Sequence, residues 1–114
     1  MARILVIEDD ALLRELATEI LMGAGHEVVT AEDGSEGLAQ LEGPDIVVMD
    51  LMIPGQDGYE LLRMIRASAS RRLPVIVVSG SATGEWSRRL GADRFIRKPF
   101  TAGELLKAVS DLVA

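Results

Sequence analysis

The fold is decided by Arg3-Ile-Leu-Val-Ile-Glu-Asp-Asp10, an apolar run that ends in three acids. A second run, Ile46-Val-Val-Met-Asp50, ends in one acid, and a third, Arg94-Phe-Ile-Arg97, is followed by Lys98-Pro99-Phe100. Short β-branched apolar runs of this kind indicate buried strands of a parallel sheet. The chain therefore places charged groups directly after several of its strands.

Strand and helix signals alternate along the whole chain. The predicted strands are residues 3–7, 27–31, 46–49, 75–79 and 94–97. Helices are predicted at residues 11–24, 33–41 and 59–67, and a last helix follows the capping-box sequence Thr101-Ala-Gly-Glu104. This alternation predicts an α/β fold with one doubly wound, five-stranded parallel sheet of the flavodoxin-like type. Its common strand order is 2-1-3-4-5, and ligands bind at the switch between strands 1 and 3.

Composition narrows the class of protein. The 114 residues are expected to form one domain, residues 1–114, and 48% hydrophobic residues suffice for a core. The chain has no cysteine, which excludes disulfides and thiolate metal sites. A net charge of −6 opposes direct nucleic-acid binding. No apolar run is long enough to span a membrane, and the acidic start does not resemble a signal peptide, so a cytoplasmic location is expected.

The acids at the strand ends predict a metal site. If strands 1 and 3 are parallel neighbours, Glu8, Asp9 and Asp50 converge on one edge of the sheet, and Lys98 lies beside them. Like charges at close range raise each other's pKa values, and a divalent cation is the simplest way to keep the acids ionised. Mg²⁺ is the expected cation, with Mn²⁺ as the alternative, because hard cations prefer carboxylate oxygens. Asp10 is assigned to capping the following helix.

Four segments carry a resemblance to a known family. They are Ile4-Leu-Val-Ile-Glu-Asp-Asp10, Val47-Val-Met-Asp-Leu-Met-Ile-Pro-Gly-Gln-Asp-Gly58, Leu73-Pro-Val-Ile-Val-Val-Ser-Gly80 and Gly91-Ala-Asp-Arg-Phe-Ile-Arg-Lys-Pro-Phe100. On these segments the chain resembles the response-regulator receiver domains of two-component signalling over essentially all of its length.

The resemblance implies a role for each matching position. Asp50 matches the aspartate that accepts the phosphoryl group. The positions that bind the divalent metal match Glu8, Asp9, Asp50 and the backbone carbonyl of Met52. Lys98 matches the lysine of the family's site, and the family holds the bond corresponding to Lys98–Pro99 in the cis form. Ser79 matches the switch hydroxyl, and Phe95 matches the aromatic switch position.

The resemblance also implies a function. Such a domain takes a phosphoryl group from the phosphohistidine of a sensor histidine kinase or a phosphotransfer protein. It then changes its affinity for a downstream protein target, and it is not an enzyme acting on a separate substrate. One departure stands out: only fifteen residues separate Ser79 from Phe95. Receiver domains usually have about one more helical turn there, roughly three to four residues. A shortened fourth helix is therefore expected.

Three other functions are compatible with an α/β chain of this kind. A flavin-binding module of the same topology would cradle phosphate in the loop after strand 1, which here is acidic and would repel phosphate. An aspartyl-phosphate phosphatase would need a second acid two residues after its nucleophile, where this chain has Met52. A receiver-like interaction domain that works without phosphorylation remains open. The chain is expected to hold no output domain of its own, so it acts alone or belongs to a longer protein.

Overall fold

A five-stranded parallel sheet forms the centre of the computed structural model, which describes residues 1–53, 56–80 and 91–113. Its strands are β1 (Arg3–Ile7), β2 (Glu27–Ala31), β3 (Ile46–Asp50), β4 (Val75–Ser79) and β5 (Arg94–Arg97). Their spatial order is β2-β1-β3-β4-β5 and all neighbours are parallel. The predicted α/β class and the strand order 2-1-3-4-5 are confirmed.

Helices cover both faces of this sheet. They are α1 (Ala11–Gly23), α2 (Gly34–Leu38), α3 (Gly58–Ser68) and the C-terminal helix (Ala102–Leu112). Alternate strand residues divide into two apolar clusters, because successive side chains of a strand point to opposite faces. One cluster joins Ile4 and Val6 to α1 and the C-terminal helix, and the other joins Leu5 and Ile7 to α2 and α3. Burial on both faces explains the uninterrupted apolar runs of the three central strands, at residues 4–7, 46–49 and 75–78.

Short polar side chains fix the helix starts. Asp10 accepts hydrogen bonds from the backbone N–H groups of Leu12 and Leu13, at 2.9 and 3.2 Å, so its predicted capping role is confirmed. Thr101 and Glu104 form both halves of the predicted capping box. Such caps satisfy N–H groups that have no partner within the helix. They therefore set where α1 and the C-terminal helix leave the sheet edge.

Local details differ from the sequence prediction. Helix α2 ends at Leu38 instead of residue 41. A short antiparallel ladder pairs Met52–Ile53 with Gln56–Asp57, where turns alone were predicted. The shortened fourth helix was predicted for a stretch that falls largely at residues 81–90, which lie outside the described residues. Among the helices that are described, none is both long and apolar enough to cross a bilayer.

Asp93 forms a charged cluster with Arg66 and Arg72 where β4 and β5 begin. The Asp93 carboxylate accepts hydrogen bonds from the Val75 backbone N–H and from Arg66, both at 2.8 Å, and from Arg72 at 2.6 Å. Arg66 also donates to the backbone carbonyls of Leu73 and Gly91. Partial burial alone would raise the pKa of Asp93, but the Val75 N–H and the two arginines outweigh it and hold that pKa below its ordinary value of 3.8.

The charged cluster around Asp93 predicts that the free energy of unfolding depends on pH. We expect Asp93→Asn to lower the free energy of unfolding at pH 7 by about 1–2 kcal/mol, through weaker charge-assisted hydrogen bonds. A lowered folded-state pKa stabilises the protein above the ordinary aspartate pKa, and this contribution is lost as the pH falls through the folded-state value. The difference between variant and wild type should therefore shrink below about pH 3.8. Urea unfolding at several pH values measures it.

The matched control is Asp111→Asn, at a surface carboxylate paired with Lys107 at 3.3 Å and with Arg94 at 3.7 Å. Exposed pairs contribute little, so a change below about 0.5 kcal/mol is expected there. A difference for Asp93→Asn that stays constant down to acid pH would contradict the charge-based explanation.

Candidate functional site

The register of the sheet brings four strand ends to one edge. Ile7 lies opposite Met49, Asp50 opposite Val78, and Ser79 opposite Arg97. Glu8 is the first residue after β1, and Lys98 is the first after β5. Asp50 is the last residue of β3, although the sequence had placed it one residue beyond the strand. The predicted residues therefore meet at the switch point between β1 and β3.

Three carboxylates form a compact oxygen cluster at this edge. Glu8, Asp9 and Asp50 each offer one oxygen, and these atoms lie within 4.8 Å of one another. Glu8 and Asp50 are buried, at 7% and 5% exposure, whereas Asp9 is exposed. Oxygen-only donors with an open side suit a hard divalent cation that keeps part of its water shell, which fits Mg²⁺ and also Mn²⁺. The donor chemistry thus agrees with the predicted metal.

Lys98 makes the closest charged contacts in the cluster. Its Nζ lies 2.5 Å from Asp50 Oδ2 and 3.0 Å from Glu8 Oε1. The backbone N–H of Lys98 donates to the Ser79 carbonyl at 3.0 Å, which ties the end of β5 to the end of β4. The Lys98–Pro99 peptide bond is cis, as the resemblance implied. Lys98 follows the edge strand β5, and its side chain still reaches the acids at the ends of β3 and β1.

Burial and charge shift two pKa values at the site. Burial raises the pKa of Glu8 above its ordinary value, even though the contacts with Lys98 and the hydrogen bond from the Asp10 N–H act to lower it. Burial would lower the pKa of Lys98, but its bonds to Asp50 and Glu8 outweigh burial and raise that pKa. The lysine is thus held charged, whereas burial makes ionisation of the neighbouring glutamate costly, and a bound cation would offset that cost.

The two switch positions lie on the same face of the sheet. Ser79 is fully buried at the end of β4. Phe95 pairs with Val77 and packs, half-buried, against the cluster that contains Val75 and Val77. Because residues two apart in a strand share a face, Ser79 and Phe95 both point toward the side covered by α3. Their predicted roles in switching stay predictions.

The segment after Asp50 is held by a glycine. Met52 pairs with Asp57 in the short ladder, and the role predicted for its carbonyl stays a prediction. Gly58, the first residue of α3, lies against the Leu51 backbone. A Cβ at Gly58 would be 2.2 Å from the Leu51 carbonyl oxygen and 2.4 Å from its Cα. Only glycine permits this close approach, which packs α3 directly under the residue that follows Asp50.

One contact of the site was not predicted from the sequence. Arg14, in the first turns of α1, donates from Nη1 to the backbone carbonyl of Glu8 at 2.8 Å. Its only sequence signal was an arginine a short distance after the three acids, a position that equally suits a solvated helix face. The tertiary contact alone distinguishes the two.

Comparisons with known proteins agree with this geometry. A sequence profile of the response regulator receiver domain matches residues 4–110. Protein PilH of Pseudomonas aeruginosa is 35% identical, over 100% of this chain and 99% of PilH. The DNA-binding response regulator MtrA of Mycobacterium tuberculosis is also 35% identical, over 94% of this chain but only 48% of MtrA. The chain therefore spans nearly all of one relative and about half of the other.

Solved structures show the same likeness in three dimensions. Chemotaxis protein CheY4 of Vibrio cholerae matches with a TM-score of 0.89 and 29% identity, over 99% of both chains. Response regulator TrrA of Thermotoga maritima, solved in complex with Mg²⁺–BeF, matches with a TM-score of 0.88 and 32% identity, over 99% of this chain and 100% of TrrA. With the strand order, the acid cluster and the profile in agreement, this chain belongs to the response regulator receiver domain family.

Proposed function

We propose that this receiver domain accepts a phosphoryl group on Asp50 with the help of a divalent cation. The observation that carries the proposal is the Asp50 carboxylate itself. It lies at the sheet's switch point, shares an oxygen cluster with Glu8 and Asp9, and has Lys98 Nζ 2.5 Å from Oδ2. A carboxylate so placed is a nucleophile with its charge-neutralising partners already assembled.

The transfer needs little covalent help from other groups. A carboxylate oxygen of Asp50 bonds to phosphorus while the phosphorus–nitrogen bond of a phosphohistidine donor breaks. The electron pair of that bond stays on the imidazole nitrogen. Lys98 Nζ already contacts Asp50, and after the transfer it could pair with a negatively charged phosphoryl oxygen.

The metal belongs to the same proposal. Glu8, Asp9 and Asp50 would hold Mg²⁺ or Mn²⁺ through their clustered oxygens, with the Met52 carbonyl as a further ligand. Bound there, the cation would neutralise phosphoryl oxygens and offset the repulsion among the acids. The solved complex of TrrA with Mg²⁺–BeF supports this assignment by similarity.

Phosphorylation is proposed to act through Ser79 and Phe95. A phosphoryl group on Asp50 would draw the Ser79 hydroxyl toward it, and Phe95 would turn into the space that Ser79 leaves. Support comes from the burial of Ser79 and from the shared sheet face of the two side chains. The change would bias a two-state surface toward binding a downstream protein.

The partners follow from this chemistry. A sensor histidine kinase or a phosphotransfer protein would supply the phosphoryl group, and a protein target would read the switched surface. No direct nucleic-acid contact is proposed for this domain, given its net charge of −6. The domain would act on its own Asp50 and not turn over a separate substrate, which distinguishes it from an enzyme.

Acetyl phosphate tests the proposal directly. With Mg²⁺ present, the wild-type protein should gain one phosphoryl mass, whereas Asp50→Asn should gain none, because an amide is a poor nucleophile.

Beryllofluoride, which imitates the phosphoryl group on an aspartate, should shift the amide NMR signals of Ser79 and Phe95.

Folding of the Asp50→Asn variant is checked by circular dichroism, and omission of Mg²⁺ should slow labelling of the wild type. If the wild-type protein stays unlabelled while a histidine phosphodonor also fails, the domain is a receiver-like interaction module that works without phosphorylation. Labelling that persists in Asp50→Asn would place the acceptor elsewhere.

A further inference from the structure

We propose that Arg14 is a positioning residue of the acidic site, which holds the backbone of Glu8 and Asp9 so that their carboxylates face Asp50. Arg14 Nη1 lies 2.8 Å from the Glu8 carbonyl oxygen and, in a longer contact, 3.4 Å from that of Asp9. The side chain is only 18% exposed. This inference rests on the proposed metal-dependent function and adds a residue to it.

The Arg14 contact gives the Glu8 carbonyl a hydrogen-bond donor beyond the end of the strand pairing. The pairing of β1 with both neighbours ends at Ile7, which lies opposite Ala31 in β2 and Met49 in β3. Beyond it, the Glu8 N–H still donates to the Ala31 carbonyl at 3.0 Å. The described strand pairing ends before Glu8, so the Glu8 carbonyl takes a donor from outside the ladder, and backbone acceptors near a protein interior are rarely left unpaired. Arg14 provides that donor from α1.

Arg14 also reaches the end of the neighbouring strand. Its Nη2 lies 3.4 Å from Glu32 Oε1, and Glu32 directly follows β2. Glu32 is 68% exposed, so this ion pair adds little stability by itself. Its effect is to orient the guanidinium, whose planar fork can serve a carboxylate and a carbonyl together. The acidic segment is thereby held by contacts with both β2 and α1.

Charge and position predict opposite results when Arg14 is removed. A cation close to three acids repels a divalent metal, so the loss of its charge alone would strengthen Mg²⁺ binding. Groups that orient metal ligands act in the other direction, and their removal weakens metal binding by roughly tenfold or more. The sign of the change in Mg²⁺ affinity therefore separates the two roles.

Titration of the full chain with MgCl₂, followed by amide NMR shifts, tests this inference. Arg14→Gln is expected to bind Mg²⁺ roughly tenfold more weakly than the wild type. Arg14→Lys keeps the charge but has a single donor nitrogen in place of the planar fork, so its Mg²⁺ affinity should lie between those of the wild type and Arg14→Gln. The matched control is Arg3→Gln, which removes the same charge at the opposite end of β1, where Arg3 pairs with Glu27. Its Mg²⁺ affinity should equal that of the wild type.

Unchanged or tighter Mg²⁺ binding in Arg14→Gln would overturn the positioning role. If that variant fails to fold, Arg14→Lys decides, since weaker binding at unchanged net charge supports the role and wild-type affinity refutes it. A wild-type protein that does not bind Mg²⁺ would instead refute the proposed metal-dependent function, so the two failures are distinguishable.

Discussion

Replacing Lys98 with methionine is expected to destabilise the metal-free protein by about 3 kcal/mol, and saturating Mg²⁺ is expected to reverse part of that loss. Lys98 contacts Asp50 and Glu8, whose side chains are only 6% and 9% exposed. Removing one partner of a buried ion pair costs roughly 3–5 kcal/mol, because the other charge stays buried without compensation. Proton uptake by a carboxyl group should keep the loss near the lower end of that range.

Mg²⁺ should help the variant more than the wild type. In the wild type Lys98 competes with a metal for the same oxygens, whereas in Lys98→Met the acids are left to the cation alone. Anything that binds only the folded state stabilises it in proportion to its affinity. Urea unfolding with and without MgCl₂ measures both effects. Acetyl phosphate labelling of this variant should be strongly slowed, because the charge opposite the phosphoryl oxygens is gone.

The control for charge is Lys107→Met. Lys107 is 77% exposed and forms a helix surface pair with Asp111 at 3.3 Å. Pairs of this kind contribute about 0.3–0.5 kcal/mol, so the control should be nearly neutral and insensitive to Mg²⁺. An equal loss for Lys98→Met with and without Mg²⁺ would assign the cost to lost packing of the lysine chain, and would contradict the role given to its charge.

Gly58→Ala is expected to lower the free energy of unfolding by about 3 kcal/mol and to slow phosphorylation. The new Cβ would lie 2.2–2.6 Å from three backbone atoms of Leu51. Overpacking in a close-packed site costs typically 1–3 kcal/mol, and here the obstacle is backbone, which cannot turn aside as a side chain can. Relief requires moving α3 or the segment that follows Asp50.

Both consequences can be measured on one variant. Urea unfolding gives the stability, and the rate of acetyl phosphate labelling at a temperature where the variant stays folded reports the position of Asp50. The matched control is Gly23→Ala, at the end of α1, where no atom outside its chain neighbours and its own helix backbone lies within 4 Å of the added Cβ. It should be neutral or slightly stabilising, because alanine favours helix. Wild-type stability of Gly58→Ala would mean that the close contact with Leu51 is not maintained in solution.

Much of the fold could be predicted from local patterns. The runs at residues 4–7 and 46–49 are covered by helices on both faces, and all of their residues are therefore apolar. A continuous apolar run distinguishes a parallel sheet from an antiparallel sheet with one exposed face, whose strands alternate apolar and polar residues. Strand order followed from the number of strand–helix units and the handedness of crossovers. The ladder between Met52 and Asp57 was missed, because two-residue strands lack a periodic signal.

The candidate site was predictable for a related reason. The carboxyl ends of parallel strands meet at one edge of a sheet. The positions of Glu8, Asp50, Ser79 and Lys98 at the ends of their strands therefore already implied that they converge. Arg14 was not predictable in this way. Its contact depends on how α1 leans against the end of β1, and an arginine on a helix has the same sequence signature whether it is solvated or not.

The sequence by itself determined the strand–helix alternation and the acids, hydroxyl and lysine at the strand ends, because burial periodicity and residue chemistry are local properties. Only the tertiary structure decided that Lys98 bonds to both Glu8 and Asp50, residues 90 and 48 positions away, and that Gly58 must be small. Those outcomes depend on distances between packed elements. Close contacts of that kind are set by the packing of the whole core and not by any one segment.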